Sequence, residues 1–209
     1  MKTRLIFKVL FVFLFCVSLM SASDNNGLFE DSGDIGNCKL KGKTNYNPST
    51  KVYTLTGGGF NMWDKTDEFH MTWKKETGDF SLAAKIAFEG KGVDAHRKVG
   101  IIIRESLEAN AKYADVAVHG DGLTSLQYRE AIGQITKEVV GPKDADYIVL
   151  ERIGKKIIMK TATGKYPQDV TGEIELDFPE TCYVGLFICS HNPDVLETGY
   201  FSDVAFKKL

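Results

Sequence analysis

The stretch Gly57-Gly58-Gly59-Phe60-Asn61-Met62-Trp63, followed by Asp67-Glu68-Phe69-His70-Met71-Thr72-Trp73 and by Asp79-Phe80-Ser81-Leu82-Ala83-Ala84-Lys85-Ile86-Ala87-Phe88, decides the fold. A glycine-rich turn delivers the chain into two runs of alternating apolar and polar residues, with Gly78-Asp79 between them. Period-two alternation on either side of a Gly-Asp turn is the pattern of an antiparallel β-pair. The two runs are therefore expected to pair with one another.

The same pattern continues in both directions, while helical periodicity is almost absent. Short apolar alternations bounded by Gly, Asn and Asp predict strands at 52–56, 68–74, 80–88, 98–105, 113–119, 124–129, 134–139, 147–152, 156–162, 170–177, 181–189 and 200–206, with Asn47-Pro48-Ser49 introducing the first of them. Gly120-Asp121-Gly122 should fold 113–119 back on 124–129, and Ile153-Gly154-Lys155 should do the same for the next pair. A dozen strands with no repeat and no internal linker predict one all-β domain, either two stacked sheets or a barrel.

The first residues stand apart. Lys2, Arg4 and Lys8 precede an apolar run ending at Met20, too short for a confident membrane span, and Ser21-Ala22-Ser23 offers small residues for cleavage. The reading is a secretory signal peptide over 1–23 and a domain over 24–209, with no membrane span after cleavage. Cys16 follows Phe15, where a lipoprotein signal needs a small residue. Without the leader the chain carries 23 basic and 28 acidic residues, a formal charge of −5, which speaks against nucleic acid or an anionic membrane as partner.

Three cysteines remain, Cys38, Cys182 and Cys189. Cys182 and Cys189 have opposite parity on one predicted strand and so face opposite sides of the sheet. A bridge from Cys38 to one of them and three small buried thiols are the two readings. No zinc-type spacing is present.

Several segments together resemble a known bacterial family. They are Gly59-Phe60-Asn61-Met62-Trp63, Asp67-Glu68-Phe69-His70, Trp73-Lys74-Lys75, Gly78-Asp79-Phe80, His96-Arg97-Lys98-Val99-Gly100, Arg104, Tyr113-Ala114-Asp115, Val118-His119-Gly120-Asp121-Gly122, Leu126-Gln127, Tyr183-Val184-Gly185-Leu186 and Ser190-His191-Asn192. In order and number they are similar to the concanavalin A-like sandwich domain of unknown function often appended to TolB-like β-propellers in Bacteroidetes. The resemblance implies a two-sheet antiparallel jelly-roll of the lectin or glucanase type, with one concave and one convex sheet, in a bacterial protein that is secreted, periplasmic or at the cell surface. It implies no known reaction.

Parity sorts the side chains of such a sandwich. Along 113–119, Ala114, Val116 and Val118 point inward and Asp115 and His119 outward. Along 124–129, Leu126 and Tyr128 point inward, leaving Ser125, Gln127 and Arg129 outside. Phe69, Met71 and Trp73 are expected inside with His70, Thr72 and Lys74 outside, and Val99, Ile101 and Ile103 inside with Arg104 outside. If these strands adjoin in the concave sheet, His70, Arg104, Asp115, His119, Gln127, Arg129 and Glu151 line one shallow groove, with Trp63 as an aromatic platform. Such a groove suits a polysaccharide or oligosaccharide, because planar donors and amides match hydroxyl pairs and uronate carboxylates while an aromatic ring covers a sugar face.

His70, His96, His119 and His191 lie on separate elements without metal-ligand spacing, so no metal site is expected. Asp121 reads as a turn residue, with a structural calcium held by loop carboxylates as the alternative. Glu173-Ile174-Glu175-Leu176-Asp177 superficially resembles a laminarinase-type catalytic strand with a different order of acids, and reads better as a solvated face over Ile174, Leu176 and Phe178. No nucleophile motif is present. The reading is a non-catalytic glycan-binding domain. A glycoside hydrolase or lyase using the same groove, and a module binding a cell-envelope protein, are the alternatives.

Overall fold

The computed structural model describes residues 26–209, so the leader assigned to 1–23 lies outside the described residues. Fourteen strands follow one another: β1 (Asp31–Ile35), β2 (Lys43–Asn47), β3 (Val52–Gly57), β4 (Phe69–Thr77), β5 (Phe80–Phe88), β6 (Lys98–Arg104), β7 (Tyr113–His119), β8 (Thr124–Arg129), β9 (Lys137–Val140), β10 (Tyr147–Ile153), β11 (Lys156–Ala162), β12 (Val170–Glu175), β13 (Thr181–Cys189) and β14 (Glu197–Lys208). They form two seven-stranded antiparallel sheets, the first in the order β1-β4-β13-β6-β7-β8-β9 and the second in the order β12-β11-β10-β5-β14-β3-β2. Fold class is thus as expected, a two-sheet jelly-roll sandwich.

The Gly120-Asp121-Gly122 and Gly154 turns make the expected hairpins, β7 with β8 and β10 with β11. The turn at Gly78 does not. β4 belongs to the first sheet and β5 to the second, so the chain changes layer there, and the pairing expected between these two runs is absent. Both runs are strands, but turn chemistry does not record which sheet the next strand joins.

Between the layers lies the main core. Val99, Ile101 and Ile103 of β6, Ala114, Val116 and Val118 of β7, and Val184, Leu186 and Ile188 of β13 meet Leu55, Leu82, Ala84, Ile86, Leu150 and Phe201 from the second sheet. The first sheet also carries a second apolar cluster on its outer side, made of Ile35, Met62, Phe69, Met71, Trp73, Ile102, Tyr113, Ala117, Phe187 and Cys189. Both faces of this sheet are therefore covered. Ile101-Ile102-Ile103 and Leu186-Phe187-Ile188-Cys189 show no polar alternation for that reason.

This corrects the parity of β4. Phe69, Met71 and Trp73 belong to the outer cluster, and His70 opposes Ile188 on the inner side of the sheet. There His70 is buried, its Nδ1 2.8 Å from Asp34 Oδ1 and its Nε2 3.0 Å from the Thr44 hydroxyl of β2 in the other sheet. An apolar row seeks whichever face is covered, and on β4 that is the outer one.

The cover is the segment between β3 and β4. Gly59 starts it at φ +110°, where a Cβ would stand 1.9 Å from the Glu68 carbonyl oxygen, so only glycine lets the two ends of the segment pass so closely. The Asn61 side chain caps the next turn by accepting the amides of Met62 and Trp63 at 2.7 and 3.2 Å. Met62, fully buried, then plugs the outer face, and its carbonyl accepts the Tyr113 and Thr136 hydroxyls at 2.6 and 3.1 Å.

Candidate functional site

The register of β6, β7, β8 and β9 builds the outer face row by row. One row is Arg104, Tyr113 and Arg129; the next is Ile102, Asp115, Gln127 and Glu138; Lys98 and His119 face each other at the far end. Parity thus places Arg104, Asp115, His119, Gln127 and Arg129 together on one face, as the alternation requires. Burial then separates them into three groups.

Arg104 and Arg129 are fasteners, which corrects their expected place in an open groove. Both are fully buried and both clamp Asp67: Arg104 through a 2.7 Å contact to Oδ2, Arg129 through contacts of 2.8 and 2.6 Å to its two oxygens. Further N–H groups go to the carbonyls of Ser106 and Glu108 from Arg104, and to those of Ala111, Asp64 and Gln134 from Arg129. The Tyr113 ring lies between the two guanidinium groups, 5.5 and 5.0 Å from them. Arg129 spends all five N–H groups in this way and Arg104 one from each of its three nitrogens, and neither side chain is accessible to solvent.

Asp115 is fully buried, and neither carboxylate oxygen has a hydrogen-bond partner among the described residues. Burial raises its carboxyl well above the usual range, and the nearby Lys98 opposes that only in part. Glu151 falls on the second sheet, where it accepts Ser81 Oγ at 3.2 Å and pairs with Lys160 at 2.9 Å. It is an ordinary cross-strand partner remote from the row above, because β10 joins β5 and β11 rather than β8. His70, between the layers, is likewise no part of this face.

The remaining members, His119 and Gln127, open onto a cavity of about 270 Å³ together with Trp63. Its wall is completed by Asn61, His96, Lys98, Leu123, Glu138 and His191. Trp63 is partly exposed at the mouth, its carbonyl held by the Thr136 amide at 3.1 Å. Three imidazoles gather on one side: the His96 ring lies 6.1 Å from that of His119 and 5.6 Å from that of His191, and Phe60 lies beyond His191 at 6.3 Å. His119 Nδ1 donates to the Leu123 carbonyl at 3.0 Å, which leaves Nε2 as an acceptor 3.4 Å from the Gln127 amide nitrogen. Burial, helped by Lys98, pushes His119 down to about 4, so the ring is neutral at pH 7. His191 is also lowered by burial.

Gln127 is 1 % exposed, yet among the described residues its Oε1 has no partner, and neither does Oε2 of Glu138 directly across from it on β9. Buried polar atoms are nearly always paired, so two unpaired acceptors on one cavity are what a site for a hydrogen-bonding ligand requires. Among the described residues no group of three or more His, Cys, Asp or Glu side chains is arranged to hold a metal ion. Asp121 serves its turn, accepting the Leu123 amide at 3.0 Å.

Sequence reasoning missed Lys98, His96, His191, Asn61 and Glu138. Lys98 and Glu138 were legible in principle, being register partners of His119 and Gln127. His96 and His191 come from loops whose approach no periodicity encodes.

No protein-family model matches this sequence, and no curated protein matches it. Solved structures do resemble it. A functionally unknown protein from Saccharomyces cerevisiae superposes with a TM-score of 0.60 at 11% identity, covering 80% of this chain and 92% of the other. Carbohydrate-binding module CBM66 from Bacillus subtilis gives 0.53 at 11% identity over 87% of this chain and 98% of that one. Lectin II from Ulex europaeus gives 0.52 at 9% identity over 79% and 90%. At these identities the likeness establishes the sandwich fold.

The three cysteines are free and buried. Cys182 lies in the core between the sheets and Cys189 in the outer cluster, the opposite faces their parity requires. Burial pushes the Cys38 thiol up to about 12 and those of Cys182 and Cys189 up to about 11. Thiols so disfavoured as thiolates are inert as nucleophiles.

Proposed function

We propose that residues 24–209 form a secreted, non-catalytic domain that binds glycan in the cavity beside Trp63, on the face that the jelly-roll resemblance makes concave. The observation that carries this reading is the pairing of an aromatic wall with unpaired, buried acceptors on Gln127 and Glu138. A pyranose ring has an apolar face for the indole and hydroxyl donors for those oxygens. The cavity, at about 270 Å³, lies near the small end of small-molecule sites and suits one sugar unit or a chain end. Two fold neighbours, a carbohydrate-binding module and a lectin, are in keeping with it. Export through the leader at 1–23 would place the domain where bacterial glycans are found, and among the described residues no helix is long and apolar enough to cross a membrane.

The glycan-active alternative draws on Asp115 and Glu138, which flank Gln127 in register. Burial shifts the Asp115 carboxyl toward the protonated form that a general acid needs, but Asp115 is not part of the cavity wall, whereas Gln127 and Glu138 are, so it does not meet a glycosidic oxygen there. Binding without turnover is therefore the better reading.

A glycan array probed with the exported chain, followed by affinity electrophoresis on the glycan retained, tests the proposal. Trp63→Ala should lose about 5- to 150-fold in affinity while the melting temperature holds, since stacking on a partly exposed indole contributes roughly 1–3 kcal/mol. Release of new reducing ends or unsaturated products would favour the enzyme instead. An array with nothing retained, and a cell-envelope protein co-purifying, would move the reading to protein interaction.

A further inference from the structure

Lys98 is the first residue of β6 and is 2 % exposed, with its ammonium facing the cavity. Among the described residues no carboxylate lies within 4.0 Å of it, although fourteen such contacts occur elsewhere. Its one side-chain hydrogen bond among the described residues, 3.4 Å to Asn61 Oδ1, goes to an oxygen already shared by two backbone amides. A buried ammonium of this kind costs several kcal/mol unless an anion meets it. The nearby acids do not serve. Asp115 makes no hydrogen bond to the amine, and burial shifts its carboxyl toward the neutral form; Glu138 stands on the opposite wall without reaching the amine.

The other groups around the cavity point the same way. His119 and His191 are held toward their neutral forms, with Lys98 among the causes in each case, so the lysine is the positive charge that shapes the local field. Cation and unpaired acceptors occupy separate walls, which sets a polarity for the occupant: an acidic group at one end and hydroxyl donors at the other.

We propose that the cavity selects an acidic sugar, its carboxylate or sulfate seated on Lys98 and its ring hydroxyls donating to Gln127 Oε1 and Glu138. This rests on the glycan reading above and names the class of glycan.

Affinity electrophoresis of the whole exported chain in gels containing polygalacturonate, dextran sulfate or neutral dextran tests it, alongside K98M. Retention by either acidic polymer, stronger than by dextran and reduced at least about tenfold in K98M, is the expected result, and the polymer that retains tells carboxylate from sulfate. Where K98M does not fold, displacement of the wild-type chain by free galacturonate but not by galactose gives the same support. Equal retention on acidic and neutral polymers, unchanged in K98M, would overturn the acidic assignment and leave glycan binding standing. An array and gels on which the wild-type chain binds no glycan would overturn both.

Discussion

Asp115 shows what a single residue can report. Its carboxyl stays protonated in the fold well above the ordinary 3.8, whereas in the unfolded chain it ionises near that value. Its contribution to stability is therefore complete below about pH 4 and is lost as pH rises. His119 runs the other way. The unfolded imidazole takes up a proton below 6.5 and the folded one only near 4, so stability from this group is lost as pH falls through that window. In the wild type the two slopes oppose each other. Asp115→Asn, which keeps the shape and removes the titration, should melt higher than wild type at pH 7 and lose more stability than wild type between pH 6.5 and pH 4, as followed by circular dichroism. A variant less stable than wild type at pH 7 would mean that Asp115 is a working anion in the fold. Asp67, clamped by two buried arginines, gives the opposite case. Asp67→Ala should cost about 3–5 kcal/mol in denaturant unfolding, because it leaves two buried guanidinium groups without a counter-charge.

At the scale of elements, the segment between β3 and β4 decides whether a site exists. It covers the apolar half of the outer face with Met62 and leaves the polar half open beside Trp63. Gly59→Ala forces a methyl against the Glu68 carbonyl at a backbone angle that side chains rarely adopt. It should lower the melting temperature by several degrees and weaken glycan retention with it, whereas Trp63→Ala affects retention alone. This segment also explains which expectations failed. On β7 and β8 the alternation Ala114, Val116, Val118 against Asp115, His119 was enough to assign faces, since one face is apolar. On β4 the apolar row was as clear, but a sheet covered on both sides gives it two places to go. Arg104 and Arg129 were placed on the right face by the same rule. Their partner, Asp67, sits in a loop, and no periodic pattern says where a loop carboxylate will land. The consecutive isoleucines of β6 were the available signal that the outer face is covered.

For the whole molecule, the sandwich brings together residues far apart in sequence: Trp63 from the covering segment, Lys98 and His119 from paired strands, Glu138 from an edge strand and His191 from beyond β13. Turn and strand chemistry carried enough information for the fold class, and pairing partners were readable for hairpins but not across the change of layer at Gly78. Cys38, Cys182 and Cys189 give a global probe. A thiol reagent should label none of the three in the native chain at pH 8 and all three in denaturant, because their exposure requires the layers to open. The central claim, that the cavity beside Trp63 is the binding site, is tested most directly by nuclear magnetic resonance titration with the glycan that an array selects. The account predicts saturable shifts at the backbone amides of Trp63, Lys98, His119, Gln127 and Glu138, with the face around Glu151 silent; shifts confined to the second sheet would contradict it.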